Sequence, residues 1–191
     1  MEQYCIDANS AADIIYYAGF EYNDVKRAII FDLGAGTGRF SIASALFGAN
    51  HVLSIDIDYM ALRILKKNIT ALDLDHIISP ICTEIGHLEI SKTYLPDNTK
   101  ITTIMNPPFG VQTKSADRIF LKKAFSFSDV VYSIHVAGDK VQNFLKKFIR
   151  TFYWKIDNII PYNLILEKSF PFHSQKTKKI EVDVYRFIKE K

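Results

Sequence analysis

The chain of 191 residues, 48% of them hydrophobic, holds the material of one domain, enough to bury a full sheet between helical layers without a second domain. Its apolar stretches fall far short of the roughly 18 residues a membrane-spanning helix needs, and Met1-Glu2-Gln3-Tyr4 lacks both the basic start and the apolar core of a secretion signal. A cytoplasmic protein is therefore expected, and a net charge of +3 leaves both anionic and neutral partners open.

In chain order, apolar periodicity predicts a helix over about 10–20 and a buried strand over 28–33, followed at once by the glycine loop Gly34-Ala35-Gly36-Thr37-Gly38. A helix over 38–48 and a strand over 51–56 come next. The helix over 58–71 carries Ala61, Leu62, Leu65 and Ile69 on one face, with Asp58 placed as its N-cap. Strands follow at 77–82 and 101–105, the second running straight into Asn106-Pro107-Pro108-Phe109. Gly110–Ala116 reads as a flexible loop, a candidate lid. Then come a helix at 117–126, a strand at 129–136 and an amphipathic helix at 139–151. Two final strands at 154–162 and 180–188 have no helical stretch between them, which favours an antiparallel ending. Alternating strands and helices imply an α/β fold: a Rossmann-like sheet of seven mostly parallel strands, the last antiparallel, with helices on both faces. Residues 1–25 form an N-terminal helical segment expected to cover the ligand site.

Glycine permits positive φ and removes the Cβ that keeps a ligand from the backbone, so the loop after the first strand suits a nucleoside-bearing cofactor. Dinucleotide folds place their third glycine where Arg39 stands, and they lack the downstream Asn-Pro-Pro-Phe; S-adenosylmethionine fits better than NAD. Asp56, about 20 residues beyond the loop at a strand end, is placed to accept both ribose hydroxyls. Asp32 either approaches the methionine amino group or braces the loop. At Asn106 the side-chain oxygen, with the Pro107 carbonyl, can accept the two hydrogens of an exocyclic amine and so localise its lone pair for attack on a methyl group. Pro107 and Pro108 stiffen that presentation, and Phe109 offers a stacking face to an extruded base.

Cys5 and Cys82 have no ligand spacing and read as packed thiols; the five histidines are scattered, so no metal is expected. Charge is uneven. Residues 1–112 hold 8 Lys/Arg against 13 Asp/Glu, and residues 113–191 hold 16 against 8. The basic residues of the second half interleave with Phe120, Phe148, Tyr153, Trp154 and Phe172, an expected footprint for a polyanion, against the simpler reading of solvated helix faces.

These motifs resemble the class I S-adenosylmethionine-dependent methyltransferases, and more narrowly the small archaeal and eukaryotic methyltransferase-like protein five family, which methylates adenine N6 in ribosomal RNA. Glu2-Gln3-Tyr4, Asp32-Leu33-Gly34 with Gly36 and Gly38, Asp56-Ile57-Asp58 and Asn106–Gly110 carry the resemblance. Asp117 with Phe120-Leu121-Lys122, Val131–His135 and Ile180–Val184 extend it over nearly the whole chain. The resemblance implies that Gln3, Gly34, Thr37, Arg39 and Asp56 contact the cofactor and that Asn106 to Phe109 are catalytic. Asp32, Gly36, Gly38 and Ile57 join the expected cofactor set. Where the family has Pro-Thr, this chain has Cys5-Ile6; where the family's third strand ends in Asp, Thr83 stands beside Glu84, and either one could take its place at the adenine amine. The resemblance further implies a small zinc-containing activator subunit along the open sheet edge, here near Ile77–Cys82 with Pro80. Rival readings are transfer to guanine N2 in RNA, transfer to a protein glutamine amide, and a non-catalytic RNA-binding protein that keeps the cofactor fold.

Overall fold

A computed structural model describes residues 5–91, 95, 98–108, 116–167 and 177–190. Five strands come from apolar, largely β-branched runs: β2 (Ile29–Leu33), β3 (His51–Asp56), β4 (Ile78–Cys82), β5 (Ile101–Met105) and β6 (Val130–Val136). They pair in parallel, with β2 between β3 and β5, β4 outside β3 and β6 outside β5. Every residue of β2 and of β5 is buried, as expected of strands covered on both faces. The two threonines inside β5 are satisfied there. Thr102 donates to the Asp24 carbonyl at 2.6 Å, and Thr103 shares a 2.6 Å hydrogen bond with Ser128.

The last two strands are longer than their apolar patterns suggest. β7 (Trp154–Glu167) and β8 (Thr177–Lys189) pair antiparallel from Trp154 opposite Lys189 to Glu167 opposite Thr177, with one bulge between Ile156 and Asn158. The backbone ladder carries pairing on into the polar ends that hydrophobicity alone marks as loop. A two-residue strand β1 (Cys5–Ile6), too short to signal itself in sequence, adds to the outer edge of β7. The order across the sheet is β1-β7-β8-β6-β5-β2-β3-β4, so β8 runs against its neighbours between β6 and β7. The expected seven-stranded, mostly parallel sheet is present, with β1 as an addition.

Three helices, α1 (Ala8–Phe20), α2 (Arg39–Leu46) and α3 (Tyr59–Ala71), pack their apolar stripes on one sheet face with Ile30, Val52, Ile104 and Val184. Helices α4 (Ala116–Phe127) and α5 (Asp139–Arg150) cover the other face with Leu33, Met105, Trp154 and Phe187. Asp58 caps α3 by accepting from Met60 N at 2.8 Å and Ala61 N at 3.2 Å. Residues 1–4 and nearly all of the candidate lid lie outside the described residues; Ala116 already belongs to α4.

A buried ionic cluster ties α1 to the sheet at the end away from the glycine loop. Asp24, fully buried just after α1, accepts from Tyr132 Oη at 2.7 Å and Arg186 Nε at 2.8 Å and pairs with Lys100. Arg186 also donates to Asp157 at 2.6 Å, with its guanidinium 4.1 Å over the Tyr22 ring.

One expectation fails. Cys82 is exposed rather than packed, because β4 is an edge strand and its last residue has no further layer to enter. The side chain of Cys5 lies outside the described residues.

Candidate active site

The chain leaves β2 for β3 and β4 on one side, then returns to place β5 on the other, so the strand order reverses between β2 and β5. Ligands of open α/β sheets bind outside the carboxyl ends of the strands at such a reversal. Register brings the key positions together there. Leu33 pairs with both Ile55 and Met105, so Gly34, Asp56 and Asn106 each stand one step beyond a shared row. Asp56 pairs with Cys82, and Thr83 N donates to the Asp56 carbonyl at 3.0 Å, which adds Thr83 to the same rim.

The glycine loop is bolted to β3. Gly34 N and Ala35 N both donate to the Ile55 carbonyl, at 2.8 and 3.0 Å, and Gly36 N donates to Asp56 Oδ2 at 2.7 Å. Gly36 has φ +53, and a Cβ built there would meet nothing within 4 Å. Space is thus open over the loop where a cofactor must approach. Gly38 has φ +87 and is closed from the other side, for a Cβ would lie 2.1 Å from Leu65 Cδ1. Close packing of α3 under the loop therefore requires glycine at 38. Gly38 is also the N-cap of α2, with no side-chain cap on its first turn. Thr37 and Arg39 are half-buried beside it.

Asp56 is buried, with Oδ2 on Gly36 N and Oδ1 accepting from Asp58 N at 2.8 Å. A carboxylate has about four lone-pair sites, so two remain for ribose hydroxyls. Ile57, 52% exposed, follows it as an apolar surface at the same rim. Asp32 turns away from the cleft. Its carboxylate accepts from Ser41 Oγ of α2 at 2.5 Å, and Ser41 in turn shares a 2.7 Å bond with Ser54 of β3. Burial pushes Asp32 up to about 7, against the Ser41 bonds that lower it, with the nearby charge of Asp56 raising it further. This is the loop-bracing arrangement. Thr83 is half-buried against Asp56, whereas the Glu84 side chain is 58% exposed and 3.9 Å from His87 Nδ1 at the 3-10 turn Ile85–His87.

Asn106 is half-buried directly after β5, with Pro107 buried and Pro108 exposed. Phe109 and Gln3 lie outside the described residues. Two further neighbours, Phe120 and His135, are marked in sequence only by the aromatic interleaving and the family resemblance, not as site residues. Phe120 of α4 reaches the glycine loop, since a Cβ on Gly34 would lie 3.2 Å from its Cε1. His135 stands at the end of β6, the strand beside β5, two residues past the Met105–Ser133 pair. Its Nε2 shares a 2.8 Å bond with Ser133 Oγ, and its ring meets Tyr185 edge-on at 5.6 Å. Burial pulls His135 down to about 4, so it is neutral at physiological pH.

Comparison with known proteins agrees with this geometry. A family model described as ribosomal protein L11 methyltransferase (PrmA) matches residues 18–92, a stretch that holds the glycine loop and Asp56 but not Asn106. The zebrafish (Danio rerio) rRNA N(6)-adenosine-methyltransferase METTL5 is 30% identical over 98% of this chain and 88% of its own length. The crystal structure of "a putative RNA methyltransferase PH1948" from Pyrococcus horikoshii superposes with a TM-score of 0.86 at 33% identity, covering 100% of this chain and 89% of that one. Magnesium protoporphyrin IX methyltransferase (ChlM) from Synechocystis, solved with bound S-adenosylmethionine, has a TM-score of 0.69 over 96% of this chain and 79% of its own; at 13% identity it speaks for the fold alone. The open space over Gly36 and the spare acceptor sites of Asp56 fit the nucleoside of the same cofactor. The chain belongs to the METTL5 family and is an S-adenosylmethionine-dependent methyltransferase.

Proposed function

We propose that the protein methylates the exocyclic N6 amine of an unpaired adenine in RNA, with ribosomal RNA as the substrate. The observation that carries this reading is the register that sets Asn106-Pro107-Pro108 beside the glycine loop at the strand-order reversal. The names of the METTL5 relatives support adenine N6 and rRNA.

In this reading Gly34, Gly36, Thr37, Gly38 and Arg39 line the cofactor site and Asp56 takes the ribose hydroxyls, with Ile57 against the adenine. Gln3, within the N-terminal segment 1–25 of a single domain, is assigned to the cofactor by the family resemblance. Thr83, half-buried on the Asp56 rim, suits the adenine amine better than the exposed Glu84. Asp32 acts on the cofactor only through the loop it braces. The cofactor, when bound, supplies an electrophilic methyl group on sulfur.

An adenine amine is a poor nucleophile because its lone pair is delocalised into the ring. The Asn106 Oδ1 and the Pro107 carbonyl each accept one amine hydrogen, which draws the nitrogen toward tetrahedral geometry and points its lone pair at the methyl carbon. The N–C bond forms as the S–C bond breaks, and the amine then gives up one proton to water. Orientation does most of the work, so no strong base is required. Phe109 provides the stacking face for the extruded base.

The edge strand β4, with Pro80 opposite Ser54, is the expected seat of a zinc-containing activator subunit. Among the described residues no helix is long and apolar enough to cross a membrane; the cytoplasmic site of action is proposed from the rRNA substrate that the METTL5 relatives' names carry.

The test is methyl transfer from labelled S-adenosylmethionine to unmodified host rRNA, with and without the activator, followed by nucleoside analysis. N6-methyladenosine is the expected product, and Asn106→Ala should lower kcat at least a hundredfold while cofactor binding survives. Label on guanine or on protein, or an Asn106→Ala enzyme with undiminished turnover, would sink this reading.

A further inference from the structure

Basic charge is concentrated in the layer of α4 and α5. Residues 1–75, which supply α1, α2 and α3, hold 6 Lys/Arg against 10 Asp/Glu; residues 116–155, which supply α4 and α5, hold 8 against 3. The acidic excess of residues 1–75 lies off the helices, since α1, α2 and α3 themselves hold only Asp13 against Arg39, Arg63, Lys66 and Lys67 while Asp24, Asp32 and Asp56 are buried; α4 and α5 hold 7 Lys/Arg against 2 Asp/Glu and form the more strongly basic face. Of the three acids on the basic side, Asp129 is engaged by Ile101 N and faces Lys189, and Asp117 accepts from the following backbone N–H. Asp139 sits in the first turn of α5, remote from the basic last turn.

Both helices of the basic layer start at the catalytic rim. α4 begins a few residues after Pro108, and α5 begins just past the carboxyl end of β6, so each runs from the rim toward the amino ends of the strands over about 18 Å. The Arg118 guanidinium of α4 lies 4.7 Å over the Phe144 ring of α5, joining the two helices. Leu145 and Ile149 face the core, leaving Lys146, Lys147 and Arg150 exposed on the outer face of α5.

A second observation marks the far end of this face. Tyr153, between α5 and β7, is 78% exposed and held at φ +60. A bulky residue is strained there, and glycine or asparagine would serve the turn better. Its backbone is nevertheless fixed on both sides: its N–H donates to the Arg150 carbonyl at 3.1 Å, and its carbonyl accepts from Glu190 N at 2.8 Å. An aromatic ring thus projects into solvent beside Arg150 on a rigid mount.

We propose that the α4–α5 face is a track for a single-stranded RNA segment flanking the target nucleotide, with Lys146, Lys147 and Arg150 on its phosphates and Tyr153 stacking a base at its distal end. The inference rests on RNA being the substrate. Charge complementarity selects a polyanion, and an isolated projecting ring beside cations is the arrangement that holds unpaired bases without reading sequence.

The test is fluorescence anisotropy of a labelled single-stranded RNA of about 20 nucleotides with the full chain, titrated at several salt concentrations. Lys146→Glu/Lys147→Glu should weaken binding about tenfold and lower the salt slope by about 2, the share of two phosphate contacts. The matched reversal on the other layer, Arg63→Glu/Lys67→Glu on the exposed face of α3, should change affinity less than about twofold. Tyr153→Asn, which relieves the backbone while removing the ring, should weaken binding about fivefold or more with the salt slope unchanged. Thermal melts of each variant check folding. Equal effects of the two charge reversals, no effect of the α5 pair, or no RNA binding by the unaltered protein overturns the proposal. A chain that binds RNA through α5 yet transfers no methyl group to it counts against the adenine reading and leaves the track standing.

Discussion

Single side chains at the rim divide into those that leave space and those that fill it. Gly36 leaves space: its φ of +53 and open surroundings mean that Gly36→Ala costs only backbone strain, about 1–2 kcal/mol by urea denaturation. The added methyl enters the volume the cofactor needs, so calorimetric affinity for S-adenosylmethionine should fall more than tenfold in the same variant. Two buried titrating groups act in opposite senses on stability. His135, held down to about 4, is neutral in the folded state while the unfolded chain binds a proton below about 6.5, so it makes stability rise with pH between those values. Asp32, pushed up to about 7, keeps its proton where the unfolded chain has lost it above 3.8, so stability falls as pH rises from about 4 to 7. Over pH 4–6.5 the two slopes offset each other in the native protein. Removing one exposes the other: melting temperature should decline across pH 4–6.5 in His135→Gln and climb across the same range in Asp32→Asn. The slope is diagnostic, since any packing defect shifts both ends of the profile together. Parallel profiles in the two variants would refute the assignment.

Elements were legible where their signal was local. Apolar runs ended by Gly34, Asp56 and Asn106 located three central strands, and the Asp58 cap with its apolar stripe located α3, because each pattern is completed within a few residues. Contacts between distant elements were not legible. Asp24 sits in an unremarkable turn, and its partner Arg186 is 162 residues away. The same holds for Ser41 and Ser54 around Asp32, for Phe120 against Gly34, and for the exposure of Cys82, which depends on β4 lying at the edge. Such positions become meaningful only once strand order is fixed. The Asp24 cluster gives the element-scale prediction. It joins the end of α1 to β6 and β8, and Asp24→Ala leaves Arg186, itself only 8% exposed, with the charge of Asp157 alone. A loss of about 3–5 kcal/mol in unfolding free energy is expected, as for other broken buried ion pairs. Adding Arg186→Met should return part of that loss; a double variant worse than the sum of its parts would show that the cluster is not the source.

At the scale of the molecule, one sheet separates two chemical roles. The β2–β5 reversal holds the glycine loop and the Asn106-Pro107 turn proposed to bind the amine in one row, and α4 and α5 carry a strongly basic face. In the proposed function the cofactor is held by the first half of the sequence, whereas Asn106 and the basic layer come from the second. On that reading the methyltransferase family model, which matches residues 18–92, stops short of the residues proposed to choose a substrate. The position of β8 has a further consequence for how the protein is made. Thr177–Lys189 is the final strand in sequence but an interior one in space, bonded to β6 on one side and β7 on the other. During synthesis from the amino end, β6 waits with an unpaired edge and Val131, Tyr132 and Ile134 uncovered until β8 has left the ribosome. From the emergence of β6 to that of β8, late in translation, the nascent chain thus carries an open, apolar sheet edge that the finished fold closes, and that interval is where aggregation and chaperone capture have most to act on.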